Sequence, residues 1–78
     1  MTAAQARACA PWYRVLLMAV KMERTVDDLT PPLLGPKTAE DYHRLQRLLA
    51  DVVAETTVVV RAAEEAAGIP PSQRHAPP

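Results

Sequence analysis

The sequence predicts an all-α fold: an antiparallel helical hairpin with a kinked N-terminal arm, completing a four-helix bundle as a dimer. Three observations carry this expectation. Two long segments place apolar residues at three-four spacing, a proline-rich break separates them, and both segments have helix start or stop signals at their ends. At 78 residues and 8.5 kDa the chain makes one small domain. Its hydrophobic fraction is 49%, but fourteen of those residues are alanine, three are aromatic (Trp12, Tyr13, Tyr42) and phenylalanine is absent. A core so thin contributes only about 3–5 kcal/mol on its own, which argues against a self-contained enzyme with a deep pocket.

The elements follow in order. Thr2-Ala3-Ala4-Gln5 has the Thr-x-x-Gln form of a capping box, in which the two side chains satisfy orphan N–H groups at a helix start. Alanine-rich sequence follows until Pro11, whose ring clashes with the preceding turn and removes one hydrogen bond. A short arm over about 3–10 is therefore expected to kink against a helix over 11–29. Thr30-Pro31-Pro32-Leu33-Leu34-Gly35-Pro36 is the main breaker. In it Thr30 is expected to cap a single turn closed by Gly35, with Leu33 and Leu34 plugging the end of the bundle. A second helix is predicted over 38–67, with Glu40 and Asp41 in its first turn where the helix dipole favours acids. Gly68 suits the left-handed position after a helix, Ile69 the accompanying apolar contact, and Pro70 forbids continuation. Residues 1–69 thus form one helical domain. Residues 70–78 hold four of the eight prolines and are predicted to be a disordered tail.

At about 100° per residue, Trp12, Val15, Leu16, Ala19, Met22, Val26 and Leu29 share one stripe of the first helix. On the second, Tyr42, Leu45, Leu49, Val52, Thr56, Val59 and Ala63 do so, widened by Leu48, Val53 and Val60. These two stripes are expected to form the core of the hairpin. Tyr13, Leu17 and Val20 make a further stripe on the first helix. A helix apolar on two sides is buried on two sides, and one hairpin covers only one. Trp12, Tyr13, Leu17 and Val20 are accordingly the expected contacts to a partner, most simply a second copy, since most soluble oligomers are homo-oligomers. Tyr and Trp are also typical interface anchors.

Catalytic chemistry finds little support. The one cysteine, Cys9, excludes an internal disulfide framework and reads as a buried thiol. His75 and Ser72 lie in the tail with nothing to orient them, and the two glycines are punctuation rather than a phosphate loop. No nucleophile–base–orienter set is visible, so no catalytic or cofactor-binding residue is assigned. Glu40-x-x-His43, with Glu23 across the hairpin, has the spacing of half a ferritin-like di-metal site. Yet Glu40 and His43 fall roughly 140–160° from the apolar stripe, pointing outward, so no metal ligand is assigned.

Nine basic and nine acidic residues cancel. Arg14, Lys21, Arg24, Arg44 and Arg47 are interleaved with Asp27, Asp28, Asp51 and Glu55, which disfavours a nucleic-acid surface. The longest apolar run, residues 15–20, falls far short of the roughly 20 residues a membrane span needs. No signal peptide is recognisable, so a cytoplasmic protein is expected. Seven arginines against two lysines fit the coding bias of a GC-rich bacterium or phage. The function expected from all this is a small, non-enzymatic protein–protein interaction module, a homo-oligomeric adaptor or regulator. A nucleic-acid-binding regulator and a ferritin-like metal-binding hairpin are the alternatives.

Overall fold

The computed structural model describes residues 1–29 and 36–76. They form two long helices, α1 (Ala3–Asp28) and α2 (Pro36–Ala66), followed by a 3₁₀ turn at Pro71–Gln73. The helices run antiparallel in a rod of 52 × 17 × 15 Å. Gln5 meets the carbonyls of Ala67 and Gly68, and Asp27 meets Gln46, so heights match in opposite directions along the two helices. The predicted turn over 30–35, with Leu33 and Leu34 as a plug, lies outside the described residues.

Local chemistry explains the ends. The Thr2 hydroxyl accepts from the Gln5 N–H at 3.1 Å and the Gln5 side chain accepts from the Thr2 N–H at 2.9 Å, forming the capping box. Gln5 does a second job, because its Nε2 donates to Ala67 and Gly68 and ties the start of α1 to the end of α2. At that end Gly68 adopts φ +72°, its N–H donates to the Glu65 carbonyl, and the Ile69 N–H donates to the Glu64 carbonyl. This is a Schellman ending, and Ile69 is buried beneath it. At the other end of α2, Pro36 stands in the first turn, where its missing N–H costs nothing.

Two expectations are corrected. There is no separate N-terminal arm: α1 continues through Pro11 from Ala3 to Asp28. An interior proline costs about 3 kcal/mol, and contacts on both sides hold the helix across it. Gln5 is tied to α2, Cys9 is fully buried before the proline, and Tyr13 is anchored after it. Nor is the tail disordered through its described part, since residues 70–76 pack back on the hairpin through bonds detailed below.

The third correction concerns which stripes make the seam. On α1 the seam runs through Cys9, Tyr13, Leu16, Val20 and Glu23, with Ala19 beside it; on α2 it runs through Tyr42, Gln46, Leu49, Val53 and Val60. Tyr13 and Val20 therefore belong to the hairpin's own interior edge. Four of the seven residues expected to be core on α1 are instead exposed, Trp12, Val15, Met22 and Leu29, joined by Met18 at 66%. On α2 Leu45, Leu48, Val52 and Val59 are likewise exposed.

These two uncovered stripes face the same way. Val15 precedes Leu16, Met22 precedes Glu23, Leu45 precedes Gln46, Val52 precedes Val53, and Val59 precedes Val60. One step backward is a turn of about 100° from the seam. The same turn on two antiparallel helices leads to the same side of the pair. The hairpin thus has one broad apolar face. The residues one step after the seam, including Arg14, Lys21, Arg24, His43, Arg47 and Arg61, belong to the opposite, polar side.

Candidate functional site

Two places concentrate chemistry: a sealed polar cluster at the open end of the hairpin, where Met1 and residues 70–76 lie, and the apolar face. The cluster centres on Glu64, whose side chain is fully buried. Its Oε2 accepts from the Tyr13 hydroxyl at 2.6 Å and from the His75 N–H at 2.7 Å, while Oε1 accepts from the Ala76 N–H at 3.3 Å. The Tyr13 and His75 rings lie 4.6 Å apart. Arg74 Nε donates to the Ile69 carbonyl, and the N-terminal ammonium of Met1 donates to Gln73 Oε1. Cys9, Val60 and Ile69 are buried around this cluster.

The electrostatics follow from that arrangement. Burial acts to raise the Glu64 carboxyl, but the Tyr13 hydroxyl, the His75 and Ala76 N–H groups and nearby Arg74 outweigh it and hold the group below the usual carboxylate range. Burial is also the largest influence on Tyr13, followed by its bond to the Glu64 carboxylate and that negative charge; all push the phenol well above its ordinary value. An ionised carboxylate with three donors, shut away from solvent, is a structural group with no face left for a substrate.

Sequence reasoning passed over Glu64, yet a signal for it exists. Continuing the seam Leu49, Val53, Val60 by one more helical step of four lands on Glu64. His75 was expected to lack anything to orient it, whereas its ring packs on Tyr13 and its N–H is held by Glu64.

Glu40 and His43 are exposed, as their outward angles predict, and His43 Nδ1 lies 3.1 Å from Gln46 Oε1. Glu23 and His43 line a shallow, open groove of about 450 Å³ on the polar side with Asp27, Gln46, Arg47 and Ala50. Among the described residues no three His, Cys, Asp or Glu side chains are grouped as a metal site would require.

The four residues singled out as partner contacts separate. Trp12 is 44% exposed at one end of the apolar face. Tyr13 is bound to Glu64 and Val20 is half-buried in the seam. Leu17 is 60% exposed but stands one step after Leu16, on the polar side. The apolar face itself comprises Trp12, Val15, Met18, Met22, Leu45, Leu48, Val52 and Val59. No helix among the described residues is long and apolar enough to cross a membrane. Comparison of the chain with protein-family models, curated proteins and solved structures gives no match.

Proposed function

We propose that this chain is a non-enzymatic protein–protein interaction module, a small homo-oligomeric adaptor or regulator whose working surface is the broad apolar face. Its simplest assembly is a dimer in which two hairpins make a four-helix bundle. The observation that carries the reading is the mismatch between what is buried and what is not. Among the described residues only five apolar side chains are buried, and two of these, Cys9 and Ala19, are small; twelve large ones are exposed.

The surface area points the same way. The chain exposes 5756 Å², about 1,100 Å² more than a compact monomer of its mass exposes. A standard interface buries about 800 Å² per partner. The radius of gyration, 16.1 Å, exceeds the roughly 11–12 Å of a globule of this length. A flat, half-finished hairpin has these properties, and apolar surface of such extent marks an interaction site.

Native mass measurement tests this, followed by co-purification from a source lysate with wild-type chain and Met22→Asp as baits. The expected result is a defined assembly for the wild type that Met22→Asp abolishes while helical circular dichroism persists. A wild type that stays monomeric and captures nothing that Met22→Asp fails to capture would contradict the reading.

A further inference from the structure

Presentation of the apolar face depends on how α1 and α2 are turned about their axes, which deepens the reading of that face as the working surface. Each helix carries two apolar stripes side by side. On α1 the seam residues Tyr13, Leu16 and Val20 stand beside Val15, Met22 and Val26; on α2 Leu49, Val53 and Val60 stand beside Leu45, Val52 and Val59. The centres of the two stripes lie roughly 50–80° apart on either helix. The offset has the same sense along both helices. Antiparallel neighbours that each turn in that sense counter-rotate as seen down the rod, as meshed gears do, so one packing rolls into the other while the helices stay in contact.

The two packings differ in polarity. The present seam holds Tyr13, Glu23, Gln46 and Glu64. A seam of the adjacent stripes has Val15, Met22, Val26, Leu45 and Val52 at its centre and turns Glu64 outward on the polar side. Apolar burial alone favours that second packing, and the open end opposes it. Glu64 is fully buried, and of its three donors only the Tyr13 hydroxyl comes from a helix; the His75 and Ala76 N–H groups come from the tail. Without the tail a buried carboxylate keeps one donor, a costly arrangement that rolling relieves by returning it to water. Other bonds between the helices resist the turn less. Gln5 and Tyr42 donate to backbone carbonyls at helix ends and stay beside the opposite helix after it, and the exposed Gln46–Asp27 bond is exchanged for water.

We infer that the tail is a latch on the rotation of the hairpin. Docked on Glu64, it holds the packing that presents Met22, Val52 and Val59; released, it lets both helices roll so that these residues turn into the seam. Docking of the tail and association through the apolar face then favour each other, because both hold the same rotational state.

Disulfides within one chain read the rotation. Heights along the rod are set by the bonds from residue 5 to 67 and from residue 46 to 27. Val20 and Val53 are therefore level and half-buried in the seam, while Met22 and Val52 are level and exposed on the outward stripes. A disulfide needs Cβ atoms about 3.5–4.5 Å apart, so each pair bridges only when it faces the seam. In a Cys9→Ala background with the tail intact, Val20→Cys with Val53→Cys should bridge readily and Met22→Cys with Val52→Cys poorly. His75→Pro removes one tail donor at a compatible position, because Arg74 before it has φ −78° and ψ 142°. It should raise the 22–52 bridge about tenfold relative to the 20–53 bridge. Glu64→Gln should act in the same direction from α2. Adding Glu64→Leu to His75→Pro removes the charge that drives the turn and should return the preference to the 20–53 bridge.

Helical circular dichroism is followed throughout. An unchanged preference in both His75→Pro and Glu64→Gln, or loss of helix in both, would overturn the latch, as would a preference that Glu64→Leu fails to return. The bridged product keeps the 8.5 kDa mass of one chain, so the rotation is read whether or not copies associate. A wild type that neither assembles nor captures a partner would overturn the working face and leave the rotation to the bridges. Fixed bridges in a wild type that does assemble would overturn the latch alone.

Discussion

The open end of this hairpin and its middle are built from the same two helices, yet one is finished and the other is not. At the open end Cys9, Val60, Glu64 and Ile69 are completely buried, with the tail drawn across them. A few residues away, Met18, Met22, Leu48 and Val52 are exposed. The difference is one of layers. At the open end a third segment of chain, residues 69–76, lies over the helix pair and adds two donors to a carboxylate that the helices supply with Tyr13 alone. In the middle nothing among the described residues lies over the apolar face. Two helices in contact bury one stripe each, and a second stripe needs a second layer.

Adjacent residues break the comparison most sharply. Val60 belongs to the finished end and Val59, 40% exposed, to the unfinished face. Val60→Asp places an unpaired charge in the sealed core and should cost about 3 kcal/mol or more, unfolding the chain by circular dichroism. Val59→Asp should keep the helical signal and lose self-association. Equal effects of the two would erase the distinction between the regions.

A smaller effect is expected from Glu64→Gln. Its amide group would face the donors of Tyr13, His75 and Ala76, at a cost of about 1–3 kcal/mol, and the tail should loosen. Trypsin cleavage after Arg74 reports this, and an unchanged cleavage rate would mean that the tail is held by something else.

The pH dependence sharpens the same point. Because the folded protein holds Glu64 below the ordinary carboxyl value of 4.5, its contribution is complete above that pH and fades as pH falls through the lower folded value. Tyr13 is shifted upward from 10.0, so its contribution is complete below pH 10 and fades as pH rises beyond. Thermal midpoints of wild type should decline at both extremes. Glu64→Gln should flatten the acid limb, and Tyr13→Phe the alkaline one; limbs unaltered in the variants would remove this cluster as their cause.

Leu17→Asp should do least. It changes a side chain on the polar side, and both stability and mass should stay within about 0.5 kcal/mol and one assembly state of the wild type. Dissociation in this variant would move the interface to the wrong side of α1.

Leu17 also shows where sequence reasoning stopped. Features set by neighbours along the chain were legible: the Thr2–Gln5 capping box, the Gly68–Ile69–Pro70 ending, and two long helices in a hairpin. Features set by rotation about the helix axis were not. Three-four spacing marks every apolar stripe alike, and on α1 it offers two, with no rule for which one faces α2. The choice is made by residues outside the periodic pattern. Tyr13 and Gln5 pair with Glu64 and with Ala67 and Gly68, which turns α1 so that Tyr13 and Val20 enter the seam and Val15 and Met22 leave it. On α2 the seam shifts likewise, away from Leu45, Val52 and Val59 toward Gln46, Val53 and Val60. Pro11 and His75 were misjudged for a related reason: tertiary contacts hold a helix across a proline, and a partner from α1 orders a tail that has no local structure signal.

The central claim is that folding of the middle is completed by association, and the dependence of the thermal midpoint on protein concentration tests it most directly. For the wild type the midpoint should rise as concentration increases from micromolar to millimolar, because the dimer is favoured by mass action. For Val52→Asp it should be lower and independent of concentration. A wild-type midpoint that does not move with concentration, in a protein of 8.5 kDa mass throughout, would contradict the account.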